Sequence, residues 1–265
     1  MKADIVILSR NDELAAKAVS SVAEFCDMSK IGRLVVGWTG EPRSAGLYML
    51  TKLADGLGFD FRSEQMEYNF ARCNNALVAK HCSSEAVLFM NDDVELMSDA
   101  VSACLETLGD EKVGTVGIKL LFPDGTIQHA GIFAAWKSDA SLRGVGHICY
   151  KSRAEFPDLW TAGSTGACMM TRRKDFVAVG GFDEGYEHCF EDVQYNLEMP
   201  AKLGLRNVTL NSVSAVHAES ATRKQSFSAG DVAKLAKYWA RNAAAILKAL
   251  AKKPAVYSRY EGRNA

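Results

Sequence analysis

Three observations predict an α/β fold organised on a parallel sheet. Over residues 1–93, short apolar runs alternate with segments of helical periodicity, the order that a parallel sheet with crossover helices demands. The most apolar of these runs, residues 86–90, leads directly into Asn91-Asp92-Asp93, so polar groups crowd the carboxyl end of a buried strand. A chain of 265 residues that is 48% hydrophobic and 24% charged has ordinary globular composition and buries one large core without staples.

The elements follow in order. Residues 5–8 form a first strand, and Asp12 is placed to cap a helix running to about residue 25. Residues 34–36 form a second strand ending at Gly37-Trp38-Thr39-Gly40. A helix over 45–57 is stopped by Gly56 and Gly58, and a short strand covers 59–62. A helix over 69–80 precedes the strand that ends in acid. Ligands of such sheets bind beyond the carboxyl ends of the strands. Ser9-Arg10-Asn11, Trp38-Thr39 and Asn91-Asp92-Asp93 all fall there.

The second half is less regular. A helix over 98–108 is capped by Ser98, and a strand over 113–122 reaches the turn Pro123-Asp124-Gly125. One strand-like stretch spans 126–135, and residues 136–160 form a loop-rich region of the kind that serves as a lid. A strand over 166–171, a short helix over 174–179 and a helix over 192–203 with a kink at Pro200 come next. A last strand over 213–216 leads to His217. Residues 231–252 form an amphipathic helix, with Leu235, Trp239 and Ile246 in its stripe and Lys234, Lys237, Arg241, Lys248, Lys252 and Lys253 outside it. Its stripe packs on the core, or docks on an anionic membrane or a second subunit. The division expected is 1–220 as one domain (1–97 and 98–220 as its halves) and 221–265 as a helical extension.

Composition excludes several classes. Lysine and arginine number 31 against 32 acidic residues, a net charge of −1, so no bulk attraction to nucleic acid exists. The seven cysteines include no CxxC pair and lie mostly in apolar surroundings, as in reduced thiols of a cytosolic protein. Zinc ligation by Cys73, His81 and Cys82 is disfavoured, because that stretch reads better as a helix with mixed faces. The first residues read as a strand rather than a signal peptide, and no run reaches the ~18 apolar residues of a membrane span. A cytoplasmic protein, at most peripheral at the inner face of a membrane, is expected.

Several residues carry chemistry. An oxygen-rich strand end suits magnesium or manganese, with a diphosphate supplying further ligands; the bland alternative is a solvated acidic turn. Glu191-Asp192 opens a helix, where acids serve as caps or, facing a cleft, as a general base. His217 follows a buried strand and is either structural or a nitrogen ligand for the same metal. Gly163-Ser164-Thr165-Gly166-Ala167 is a small-residue stretch able to approach a phosphate or sugar closely. Arg143 and His147 are solvated loop residues or phosphate contacts.

In order along residues 3–220, these segments resemble the inverting family 2 glycosyltransferases. Asn69-Phe70-Ala71-Arg72-Cys73-Asn74-Asn75 is similar to the segment before that family's metal motif. Residues 89–94 resemble its DxD-type motif, with Asn91 replacing the first aspartate. Pro123-Asp124-Gly125-Thr126-Ile127-Gln128-His129-Ala130-Gly131 is similar to a stretch of bacterial O-antigen and rhamnosyl-type transferases. Residues 165–170, Gly180-Gly181-Phe182-Asp183-Glu184 and Glu191-Asp192 resemble the acceptor-side block, and His217 stands where the family often has a metal-binding histidine.

The resemblance implies a GT-A fold, a Rossmann-like mixed sheet flanked by helices, here followed by the C-terminal amphipathic helix. It implies a metal-dependent transferase of the hexosyl or deoxyhexosyl type. Such an enzyme moves a sugar from a nucleotide-diphosphate donor to a hydroxyl of a glycan or glycolipid, in surface polysaccharide synthesis. Asp93, His217 and Asp92 would hold the manganese or magnesium ion. Ser9, Arg10, Asn11, Trp38, Asn91 and Asp92 would line the nucleotide site, and Asp192, with Glu191 beside it, would act as base. The family often carries an acid in the turn after the second strand; Trp38 stands there instead, stacked on a base or merely packed. That departure leaves open a catalytically silent nucleotide- or glycan-binding relative. A sugar-phosphate nucleotidyltransferase is disfavoured, because Ser9-Arg10-Asn11-Asp12 lacks glycine.

Overall fold

The computed structural model describes residues 1–41, 45–218, 228–250 and 256–257. The alternation read from residues 1–93 folds as expected. It gives β1 (Ala3–Ser9), α1 (Asp12–Phe25), β2 (Ile31–Trp38), α2 (Ala45–Gly56), β3 (Asp60–Gln65), α3 (Phe70–His81) and β4 (Ala86–Asn91). The strands lie parallel in the order β3-β2-β1-β4. Register brings their carboxyl ends level: Ser9 pairs with Trp38, and Leu8 with Asn91. At the opposite end, buried Asp4 accepts from Arg33 N, Ser83 N and Ser84 N at 2.6–2.8 Å, tying β1 to β2 and to the entry of β4. The cap of α1 is Asn11, not Asp12. The extended backbone of Asn11 lets its carboxamide oxygen accept from Glu13 N and Leu14 N, and Asp12 becomes the first helical residue.

The next elements are β5 (Val94–Leu96), α4 (Ala100–Thr107), β6 (Val113–Leu121), β7 (Ile127–His129), β8 (Ile132–Trp136), β9 (Leu142–His147) and β10 (Leu159–Thr161). They are followed by β11 (Cys168–Arg172), α5 (Arg173–Val179), α6 (Glu191–Glu198), β12 (Arg206–His217) and α7 (Ala229–Leu250). Antiparallel β11 joins β4 to β6, so the ten-stranded sheet is mixed and continues β4-β11-β6-β12-β10. Strand alternation sends side chains to two cores. Ile5, Ile7, Leu88 and Met90 meet Val19, Leu50 and Leu105 on one face. Val6, Val87 and Phe89 meet Leu77, Phe176 and Tyr195 on the other.

Several boundaries differ from the sequence reading for local reasons. Asp99, not Ser98, caps α4 by accepting from Ser102 N. The stretch 126–135 is two strands, broken at Gly131, whose φ of 113° excludes most side chains. The loop-rich 136–160 contains β9, which pairs with β8 as a separate hairpin, and β10, which edges the main sheet. The last strand starts at Arg206, well before residue 213, and absorbs a register shift between Leu210 and Ser214. The helix over 192–203 is α6 followed by a π-helical turn, Met199–Leu203, where Pro200 lacks the N–H of a regular ladder. All seven cysteines are free and most are buried, as expected.

The stripe of α7 is consumed within the domain. Leu235, Trp239 and Ile246 pack against Ile132, Ala162, Tyr186, Val193 and Leu197. Trp239 is fully buried, stacks on Trp136 and donates Nε1–H to Ala140 O at 2.9 Å. Of the uses expected for this stripe, packing on the core is the one found, and the same face cannot also dock on a membrane or second subunit. Lys252, Lys253 and the boundary at 220/221 lie outside the described residues. Among the described residues no helix is long and apolar enough to cross a membrane. Replacing Trp239 by Ala is expected to cost ~3–5 kcal/mol in chemical denaturation, the range for a large aromatic removed from a core. A loss under ~1 kcal/mol, within ordinary surface effects, would show that α7 is not part of the cooperative core.

Candidate functional site

The carboxyl ends of β1 and β4 meet through side chains. Ser9 Oγ donates to Asp92 Oδ2 at 2.6 Å and accepts from Asn11 N at 3.0 Å. Asp92 is turned toward β1 and is thereby occupied. Burial raises its pKa; Ser9 opposes that shift, and the neighbouring Asp93 adds to it. One oxygen of the Asp92 carboxylate is thus directed to the serine, while Asp93 faces the opposite side of the strand end.

Asp93 has a different neighbour. Antiparallel pairing of β5 with β12 sets Val94 opposite His217, and Ala218 N donates to Asp93 O at 3.0 Å. That register brings His217 Nε2 to 3.0 Å from Asp93 Oδ1, with Asn91 Nδ2 at 3.4 Å from the same nitrogen. Both side chains are largely buried. On its other side the ring meets Gln128, with Nδ1 against Oε1.

The adjacent residue, His129, is 1% exposed. Burial first, then the neighbouring His147 and His217, push its pKa well below the ordinary histidine value, so it is neutral. Its Nε2 accepts from Thr165 N at 3.3 Å, which leaves the proton on Nδ1, 2.7 Å from His147 Nδ1. Sequence reasoning placed the motif holding Gln128 and His129 but assigned neither residue a role. The available signal was a Gln-His pair between apolar Ile127 and Ala130.

The small-residue stretch connects this side to the helix carrying Glu191 and Asp192. Gly166 N donates to Asp192 Oδ2 at 2.8 Å, and Asn91 N donates to Ala167 O at 2.9 Å. Buried Asn196 bonds Ser164 through both its carboxamide atoms and donates to Asp192 O as well. Gly166 permits the approach: a Cβ there would stand 3.0 Å from Phe70 Cζ and 3.3 Å from Asp192 Cβ. The chain enters α6 through Phe190, whose φ of 77° is unusual for an aromatic residue. The loop before it is held by Asp231 of α7, which accepts from Glu187 N and His188 N at 3.0 Å and Cys189 N at 3.3 Å. Glu191 is buried and lines a small cavity of about 70 Å³ with Tyr68, Phe70, Tyr186 and His188.

The remaining expected residues divide. Arg10 and Asn11 lie exposed beside Ser9, although Asn11 uses its side chain as the cap of α1. Trp38 is 2% exposed and donates Nε1–H to Glu41 O at 3.0 Å. It braces its own turn and presents no open ring face, so of the two readings, stacked on a base or packed, the structure shows packing. Arg143 is exposed on β9, and His147 is engaged with His129. A larger cavity of about 190 Å³ lies between β8, β10 and α7; among the described residues Arg206 is the one charged residue in its otherwise mostly apolar wall.

The residues present fit a hard divalent cation that keeps most of its coordination for other ligands. Asp93 supplies a carboxylate oxygen and His217 a nitrogen from facing elements, and Asn91 adds an amide beside them. Among the described residues no group of three or more His, Cys, Asp or Glu side chains forms a complete cage. Magnesium-type sites are ordinarily incomplete in this way, because water and substrate phosphates fill the remainder.

No protein-family model matches the chain. It is 34% identical over 188 residues to the O-antigen biosynthesis protein RfbC of Myxococcus xanthus, a match covering 67% of this chain and 14% of that one. The chain thus spans about a seventh of that relative. Two solved structures superimpose over most of its length. GalNAc-T7, solved with UDP, GalNAc and Mn2+, gives a TM-score of 0.71 at 11% identity, covering 90% of this chain and 48% of the other. The mannosyltransferase PcManGT of Pyrobaculum calidifontis, in complex with GDP-Man and Mn2+, gives 0.58 at 14% identity, covering 94% and 75%. The chain has the GT-A fold of these glycosyltransferases, as the sequence motifs implied.

The raised pKa of Asp92 makes stability depend on pH. A carboxyl group whose folded pKa is raised contributes stability that is present below the unfolded range and is lost as pH rises through the folded value. Asp92→Asn is therefore expected to melt higher than the parent at pH 7, with the difference closing toward about pH 4. A lower melting temperature at both pH values would show that the Ser9 bond outweighs desolvation.

Proposed function

We propose that this chain is a metal-dependent, inverting glycosyltransferase that moves a sugar from a nucleotide-diphosphate donor to a hydroxyl of a glycan or glycolipid acceptor. The observation that carries the reading is the pairing of Asp93 with His217 at the carboxyl end of β4, joined through the 165–167 backbone to Asp192. The likeness to an O-antigen biosynthesis protein supports surface polysaccharide synthesis as the setting. Residues 1–97 would form the nucleotide half and 98–220 the acceptor half.

In this reading Asp93 and His217 hold the cation. When bound, manganese or magnesium neutralises charge on the departing diphosphate. Asp92, oriented by Ser9, and Asn91 line the donor side with Arg10 and Asn11. Asp192 takes the proton from the acceptor hydroxyl as it attacks, a contribution of typically ~10²–10⁴-fold. Both its oxygens already accept backbone N–H bonds, from Gly166 and Val193, so its direction is set before the acceptor arrives. Attack from the face opposite the leaving group inverts the anomeric centre. Glu191 shapes the acceptor side through the cavity it lines. The buried Trp38 turn, without a carboxylate, favours the second reading of a silent nucleotide- or glycan-binding relative.

A panel of nucleotide sugars, with and without manganese, separates the two by thermal shift and by nucleotide release. Asp93→Ala is expected to abolish metal-dependent donor binding. Asp192→Asn is expected to keep donor binding while transfer falls by ~10²-fold or more. Transfer at the parent rate in Asp192→Asn would remove this residue from the role of base. Donor binding without release by the parent chain would favour the silent relative.

A further inference from the structure

We propose that Gln128 is a positioning residue that sets the tautomer and ring orientation of His217, and through them the affinity of the Asp93–His217 pair for a divalent cation. The inference rests on the metal-dependent reading above and deepens it.

The backbone places Gln128 for this purpose. On β6, consecutive residues Leu121 and Leu120 pair with Ile127 and His129 of β7. One step on β6 therefore spans two steps on β7, and Gln128 is the extra residue of a bulge. Bulges re-aim a side chain that a regular ladder would direct elsewhere. On its other edge, Leu121 of β6 pairs with Val216, the residue before His217. Gln128 and His217 thus flank the same end of β6, and the carboxamide crosses it to reach the ring.

The chemistry follows from what each atom can do. A carboxamide oxygen accepts and cannot donate, so with Oε1 against Nδ1 a ring proton is on Nδ1. At 3.0 Å the Asp93 carboxylate oxygen can only accept, so without a cation Nε2 donates to it. A cation in this seat would take the place of that proton, and the imidazole would then have its lone pair on Nε2 and keep its one proton on Nδ1, where Gln128 Oε1 accepts it. Without the acceptor at Nδ1, that tautomer loses its partner and the ring keeps Nε2–H on Asp93, which closes the seat. Gln128 is 7% exposed, so water does not readily replace it.

The test is Mn2+ titration of the full chain, followed by electron paramagnetic resonance, alone and with UDP or GDP. Gln128→Met keeps length and removes the acceptor, and is expected to weaken Mn2+ by ~10–100-fold. Gln128→Glu retains an acceptor oxygen and is expected to bind Mn2+ at least as tightly as the parent. If Gln128→Met binds like the parent while Asp93→Ala does not bind, the inference is overturned and the metal site stands. Equal weakening in both Gln128 variants assigns the residue to packing alone and also overturns it. If the parent and Asp93→Ala bind alike, or neither binds, the metal site itself fails and the inference falls with it.

Discussion

The architecture of the candidate site depends on one short run of backbone, Thr165-Gly166-Ala167. Its groups bond in three directions: Thr165 N to His129, Gly166 N to Asp192 and Ala167 O to Asn91 N. Backbone groups buried in this way must be satisfied, and here each partner belongs to a different part of the site. The run therefore links the Asn91 end of β4, His129 of β7 and Asp192 in the first turn of α6. Small side chains are required along it, because Phe70 and Asp192 already crowd Gly166.

Around that run, the second half of the chain acts as scaffolding for α6. Asn196 clamps the helix to Ser164, and Asp231 of α7 gathers the backbone N–H groups of the 187–189 loop. Lys234 of the same helix bonds Asp183 at 2.6 Å and lies over the Tyr186 ring. The strained Phe190 junction persists because both its flanks are held. Thus the C-terminal helix, amphipathic in sequence, holds the loop that leads into Glu191 and Asp192.

The two aspartates of Asn91-Asp92-Asp93 have separated roles in space. Asp92 is committed to β1 through Ser9, and Asp93 to β12 through His217. Adjacent like charges on a buried strand end would repel, and turning them to opposite neighbours gives each its own compensation. The arrangement explains why one carboxylate, rather than two, is aligned with the histidine.

The sequence by itself determined the alternating half of the fold. Periodicity and strand-end composition are local properties, and they sufficed for β1 to β4, for the acids at the carboxyl end of β4 and for the amphipathic character of residues 229–250. Ordered motifs carried the GT-A likeness as well. Only the tertiary structure decided that Trp38 is packed, that Asp92 belongs to Ser9, and that the stripe of α7 faces its own domain. It also brought Gln128 to His217 and His129 to Thr165. The reason is physical: these contacts depend on strand register, on bulges at Gln128 and before Ser214, and on left-handed backbone at Gly131 and Phe190. Register couples residues far apart in the chain, and no local pattern of side chains encodes it.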